Sequence, residues 1–165
     1  MAGTFSFDLV SEFDRQELVN AVDQALREIR TRYDLKDTKS DIKLEDERLV
    51  ITAESEHHLT AIKDLLETKA LRRNLSIKIF DWGVAEEAAG STYRQIVTLR
   101  KGIADDLARK INKQIRENFP KTQPQIQGDA LRVQAKSKDE LQSVIAYLRE
   151  HEGDFPLPLQ FTNYR

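Results

Sequence analysis

Phe5, Phe7 and Leu9 alternate with Ser6, Asp8 and Val10, the two-residue period of a strand with one buried face. Asp14, followed three residues later by Glu17, is a helix-capping pair. Behind it Leu18, Val22, Ala25, Leu26, Ile29 and Tyr33 fall on one helical stripe. Ile42 and Leu44, an acidic turn at Asp46-Glu47, and then Leu49, Ile51 and Ala53 predict a hairpin. Ser55 opens a second helix with Leu59, Ile62, Leu65, Leu66 and Ala70 inside. Ile77 and Ile79 close the pass as a short strand.

The same order then returns. Residues 81–91, with Gly83 and Gly90, predict a weakly structured linker. Val97 and Leu99 face inward on a strand that Gly102 breaks, and Ile103, Leu107, Ala108, Ile111, Ile115 and Phe119 form the next helical stripe. Pro120 ends it, because proline cannot continue the hydrogen-bond ladder. Ile126, a turn at Gly128-Asp129, and Leu131, Val133 and Ala135 predict a second hairpin. Ser137 with Glu140 is another capping pair, ahead of Leu141, Val144, Ile145 and Leu148, and Leu159 and Phe161 end in a strand. The turn residues Asp46 and Asp129 lie 83 positions apart, and the caps Ser55 and Ser137 lie 82 apart. The class is therefore α+β: two tandem βαββαβ units, each a split βαβ, ferredoxin-like sandwich. Helices on one sheet face leave the other face free for a partner.

Composition narrows the chemistry. No cysteine is present, so disulfides and thiolate chemistry are excluded, and a reducing cytoplasm is the compatible setting. No apolar run reaches membrane-spanning length, and the segment MAGTFSFDLVSEF has neither the basic nor the apolar region of a secretion leader. The six glycines form neither GxxxxGK[ST] nor GxGxxG. Residues 1–88 carry 13 Lys+Arg against 19 Asp+Glu, and residues 89–165 carry 13 against 9, so the basic surplus lies in the second half.

FDLVSEFDRQEL at 7–18, RYDLKD at 32–37, QIQGDALRVQAKSKDELQ at 125–142 and LQFTNYR at 159–165 resemble the YajQ family of small bacterial proteins. The resemblance implies two ferredoxin-like domains that exchange their first strands. Residues 1–12 would then complete a C-terminal domain with 101–165, and 92–100 would complete an N-terminal domain of 13–100. The C-terminal domain so drawn holds 11 cationic and 11 acidic residues, which removes the basic surplus. The resemblance further implies a nucleotide-binding protein of RNA-recognition-like topology, with cyclic di-GMP as ligand in some members.

By alternation the outward residues of the first unit are Lys43, Val50 and Thr52. In the second they are Gln125, Gln127, Arg132, Gln134 and Lys136, extended by Gln160, Thr162 and Tyr164 on the last strand. None on the central strands is aromatic, so the base-stacking platform of an RNA-recognition domain is missing. The amides and cations can instead pair with base edges and phosphates, and Tyr164 could stack. Arg32 and Lys36 could clamp a phosphate beside Tyr33, and Phe80 is expected outward beside Trp82 near the linker. His57 and His58 are neighbours on a helix and point apart, so no metal site is expected.

The reading is a non-enzymatic cytoplasmic nucleotide binder without cofactor or metal. Its partners would be a nucleotide, a cyclic dinucleotide, single-stranded RNA or tRNA, and not a membrane. It requires Arg132, Gln134 and Lys136 to lie open. Two alternatives are a protein-interaction adaptor that uses an exposed sheet edge, and an acylphosphatase-type hydrolase with Arg15 or Arg100-Lys101 as its phosphate cradle.

Overall fold

A computed structural model describes residues 4–165; residues 1–3 of the predicted 1–12 segment lie outside the described residues. The chain opens with β1 (Phe5–Val10) and α1 (Arg15–Thr31). The Asp14 carboxylate accepts the Gln16 and Glu17 amides and so satisfies two of the free N–H groups at the start of α1. β2 (Asp41–Leu44) and β3 (Arg48–Ala53) form the hairpin, and α2 (Glu56–Arg72) starts at Ser55. β4 (Phe80–Trp82), β5 (Glu86–Ala88) and β6 (Thr92–Leu99) follow. α3 (Asp105–Asn118), β7 (Gln123–Gln127), β8 (Ala130–Ala135), α4 (Lys138–Glu150) and β9 (Gln160–Thr162) complete the order.

Contacts divide the chain into two units, residues 13–100 and residues 1–12 with 101–165. The first has a sheet in the order β2-β3-β6-β4, with β5 also on β6, and the second the order β7-β8-β1-β9. The strand that begins the chain therefore sits in the sheet of the second unit, between β8 and β9, whereas β6 sits between β3 and β4 of the first. Both sheets are antiparallel throughout, the ferredoxin-like arrangement. The first core joins Leu18, Ile29, Leu49, Ile51, Ile62, Leu66 and Val97, and the second joins Phe7, Leu9, Ile111, Ile115, Leu131, Val133, Val144 and Phe155. Among the described residues no helix is long and apolar enough to cross a membrane.

Four expectations are corrected. Residues 81–91 are not a linker: β5 pairs with the start of β6 inside the first unit. Ile77–Ile79 is a single 3-10 turn rather than a strand, which leaves Ile77 exposed. The strand begins at Phe80, so Phe80 and Trp82 oppose Leu99 and Val97 on the inner side, and Phe80 is buried instead of outward. Tyr33 does not join the core stripe. Arg32 ends α1 in an extended conformation, Tyr33 is 91% exposed, and Leu35 takes the core position.

Candidate functional site

The outer face of the β7-β8-β1-β9 sheet is built from cross-strand rows. One row runs Gln125, Arg132, Asp8 and Thr162, and the next runs Gln123, Gln134 and Ser6. Arg132 and Gln134 are half-buried and Lys136 is exposed.

At the centre of this face Arg132 is committed. Its Nε donates to Asp8 Oδ1 at 2.9 Å and its Nη2 to Asp8 Oδ2 at 3.3 Å, a two-pronged pair of the kind guanidinium and carboxylate favour. Asn163 Nδ2 donates to the same carboxylate at 2.8 Å. The Arg132 hydrogen bonds hold the Asp8 carboxyl below its usual range, against the upward push of burial, and Asn163 and Arg165 act in the same direction as Arg132. A phosphate at Arg132 would have to compete with Asp8.

Charge at the lower end of the sheet is uncommitted. Lys121 and Lys136 have no ion-pair partner among the described residues. They line a recess of about 530 Å³ together with the opposed amides Gln123 and Gln134, Thr4 and the carboxylate of Glu140. That volume lies in the range of small-ligand sites. Cations of this kind suit phosphate oxygens, and amides can both donate to and accept from a base edge.

The other candidates disperse. Gln125, Gln127 and Thr162 are exposed, and the Gln160 side-chain oxygen accepts the Glu12 amide at 2.7 Å. Tyr164 leaves the outer face. Asn163 adopts φ 55°, which inserts a bulge, so Arg165 pairs with the Ser6 backbone and the Tyr164 ring lies 6.4 Å from the inward Phe7. Arg32 pairs with Asp34 at 2.8 Å while Lys36 stays exposed, so the two form no common clamp among the described contacts. Trp82 lies under Lys63, whose ammonium is 5.1 Å from the ring centroid. The arginines of the hydrolase alternative are tied to main-chain oxygens, Arg15 to Glu45 and Asp46 and Arg100 to Lys78 and Phe80. Among the described residues no group of three or more His, Cys, Asp or Glu side chains is arranged to hold a metal ion.

Lys121, Gln123, Asp8 and Arg165 were missed in the sequence. Gln123 carries a signal, since it shares the phase of Gln125 and Gln127; Asp8 was visible as outward on its own strand, but its partner is 124 residues away.

A family model described as "Nucleotide-binding protein YajQ-like" matches residues 5–165. A protein of Chloroflexus aggregans is 62% identical over 165 residues, covering all of both chains, and one of Roseiflexus sp. is 60% identical over the same span. A Synechococcus sp. protein is likewise 60% identical over the full length of both. Each of the three is named "Nucleotide-binding protein". The chain belongs to the YajQ-like family. In this YajQ-like chain the outer face of the second sheet carries no aromatic side chain among its paired strand residues and, among the described residues, has two lysines without an ion-pair partner at one end.

Proposed function

We propose that this chain is a non-catalytic binder of a phosphorylated nucleotide, held at the Lys121–Lys136 end of the second sheet. The phosphates sit between the two ammonium groups and the base edge lies against Gln123 and Gln134. One observation carries the reading: a recess of about 530 Å³ pairs two cations lacking acidic partners with two cross-strand amides on an otherwise open face. The description of the family and the names of the relatives support the ligand class. Within that class, cyclic di-GMP and a short single-stranded RNA both present paired phosphates and free base edges. A cytoplasmic setting fits a chain with no cysteine.

Calorimetric titration with GTP, ATP, cyclic di-GMP and a short RNA tests the reading. At least one should bind, with affinity that falls as salt rises. Lys121→Ala with Lys136→Ala should weaken it by about tenfold or more. No heat with any of them, or unchanged affinity in the double variant, overturns the assignment.

A further inference from the structure

The first unit is acidic, with 15 Lys+Arg against 17 Asp+Glu between residues 13 and 100. Its helix layer nonetheless holds an open groove of about 880 Å³ along α1 and the end of α2 in which the sign reverses. Four cations line it, Arg27 from α1 and Lys69, Arg72 and Arg73 from the end of α2, against two carboxylates, Glu17 and Glu28. Both carboxylates are already engaged. Lys69 Nζ donates to Glu28 at 3.1 Å, and Arg73 lies 3.7 Å from Glu17. Arg27 and Arg72 have no acidic partner among the described residues, and both are exposed.

Cations at a helix C-terminus stabilise the helix dipole, which accounts for Lys69 and Arg72 on α2. It does not account for Arg27, which comes from the neighbouring helix and adds like charge to the same groove. Charges of one sign gathered in a concavity focus the field on a counter-ion. No apolar or aromatic side chain is among the described residues that line the groove, so it offers no apolar slot for a nucleobase, whereas guanidinium groups match phosphate oxygens in pairs.

We propose that this groove is a second ligand site, separate from the sheet face, that takes a small molecule bearing two or more linked phosphates and reads the phosphates alone. Arg27 and Arg72 make the decisive contacts. Arg73 and Lys69 hold Glu17 and Glu28 away from the ligand.

The test is calorimetric titration of inorganic tripolyphosphate at low salt into the full chain carrying Lys121→Ala and Lys136→Ala, which silences the sheet recess. One binding event is expected, and ATP should bind within about threefold of tripolyphosphate, because the guanidinium groups are taken up by the phosphates and no apolar slot receives the base. Arg27→Gln with Arg72→Gln should weaken both by about tenfold or more, while Arg27→Lys with Arg72→Lys keeps part of the affinity. Circular dichroism of the glutamine variant should match its parent, since both side chains are exposed, and Tm should fall only slightly through the loss of the Arg72 charge at the α2 C-terminus. Absence of tripolyphosphate binding overturns the proposal, as does binding that ignores the Arg27 and Arg72 changes or a marked preference for ATP. Failure here leaves the sheet site standing, and failure of the sheet site leaves this one standing.

Discussion

Val50 and Arg132 occupy the same place in their two units. Val50 lies between Lys43 and Ile96 on the outer face of the first sheet, and Arg132 between Gln125 and Asp8 on the outer face of the second. Beneath them the inward residues correspond closely: Leu49 with Leu131, Ile51 with Val133, Ala53 with Ala135, all buried. At these positions on β3 and β8 the inner face is fixed by packing against two helices, and aliphatic side chains of similar volume satisfy it in both units. The outer face meets no such demand, so one unit carries an aliphatic pair at its centre and the other an ion pair. What differs between duplicated scaffolds is where a ligand can be read.

The strongest check on that equivalence is to truncate it on the inside. Leu49→Ala and Leu131→Ala remove fully buried side chains from matching positions. Each should cost about 2–5 kcal/mol, the range for an incompletely collapsing cavity. Urea unfolding of the two variants measures it. A loss under about 1 kcal/mol in either would show that the matched position is not equally packed, and the comparison would break.

A second change converts one outer face into the other. Asp8→Ile alone strands the half-buried Arg132 and should lower Tm. Adding Arg132→Val recreates the Val50–Ile96 pair and should restore or exceed the starting stability, since an ion pair is often replaceable by packed aliphatic groups. If the double variant is as unstable as the single one, Asp8 does more than partner Arg132. Acid sharpens the result. The folded chain holds the Asp8 carboxyl below its usual range, chiefly through Arg132, so its contribution is complete above the ordinary aspartate value and is lost as pH falls through the lowered one. As pH falls below the ordinary aspartate value of about 4, the Tm of the parent should therefore fall more steeply than that of the double variant.

The inner faces were legible in the sequence because alternation and the helical stripe count positions locally. Errors arose where a backbone event shifted the phase. The 3-10 turn at Ile77–Ile79 moved Phe80 and Trp82 to the inner side, and the left-handed Asn163 put Arg165 opposite Ser6 in place of Tyr164. The extended Arg32 stopped α1 before Tyr33 could reach the core. The polar second sheet was foreseen, yet the neutralisation of Arg132 was not, because alternation assigns a face and does not say which strand lies alongside. Lys121 lies before the strand that carries the pattern, so no period marked it.

The smallest effect separates the two helices that close the units. Ser55 and Ser137 are matched N-caps, but they do unequal work. The Ser55 hydroxyl accepts one amide, His58 at 3.1 Å, whereas that of Ser137 accepts two, Asp139 at 3.1 Å and Glu140 at 3.4 Å. Either serine replaced by alanine should cost about 1 kcal/mol, as loss of a capping oxygen leaves first-turn amides without a protein partner. Ser137→Ala should cost slightly more, because α4 loses two acceptor contacts where α2 loses one. Urea midpoints of the two variants, compared at unchanged m-value, decide it. Equal losses would mean that the longer contact to Glu140 contributes nothing, and that the two caps, like the two inner faces, are equivalent in energy as well as in position.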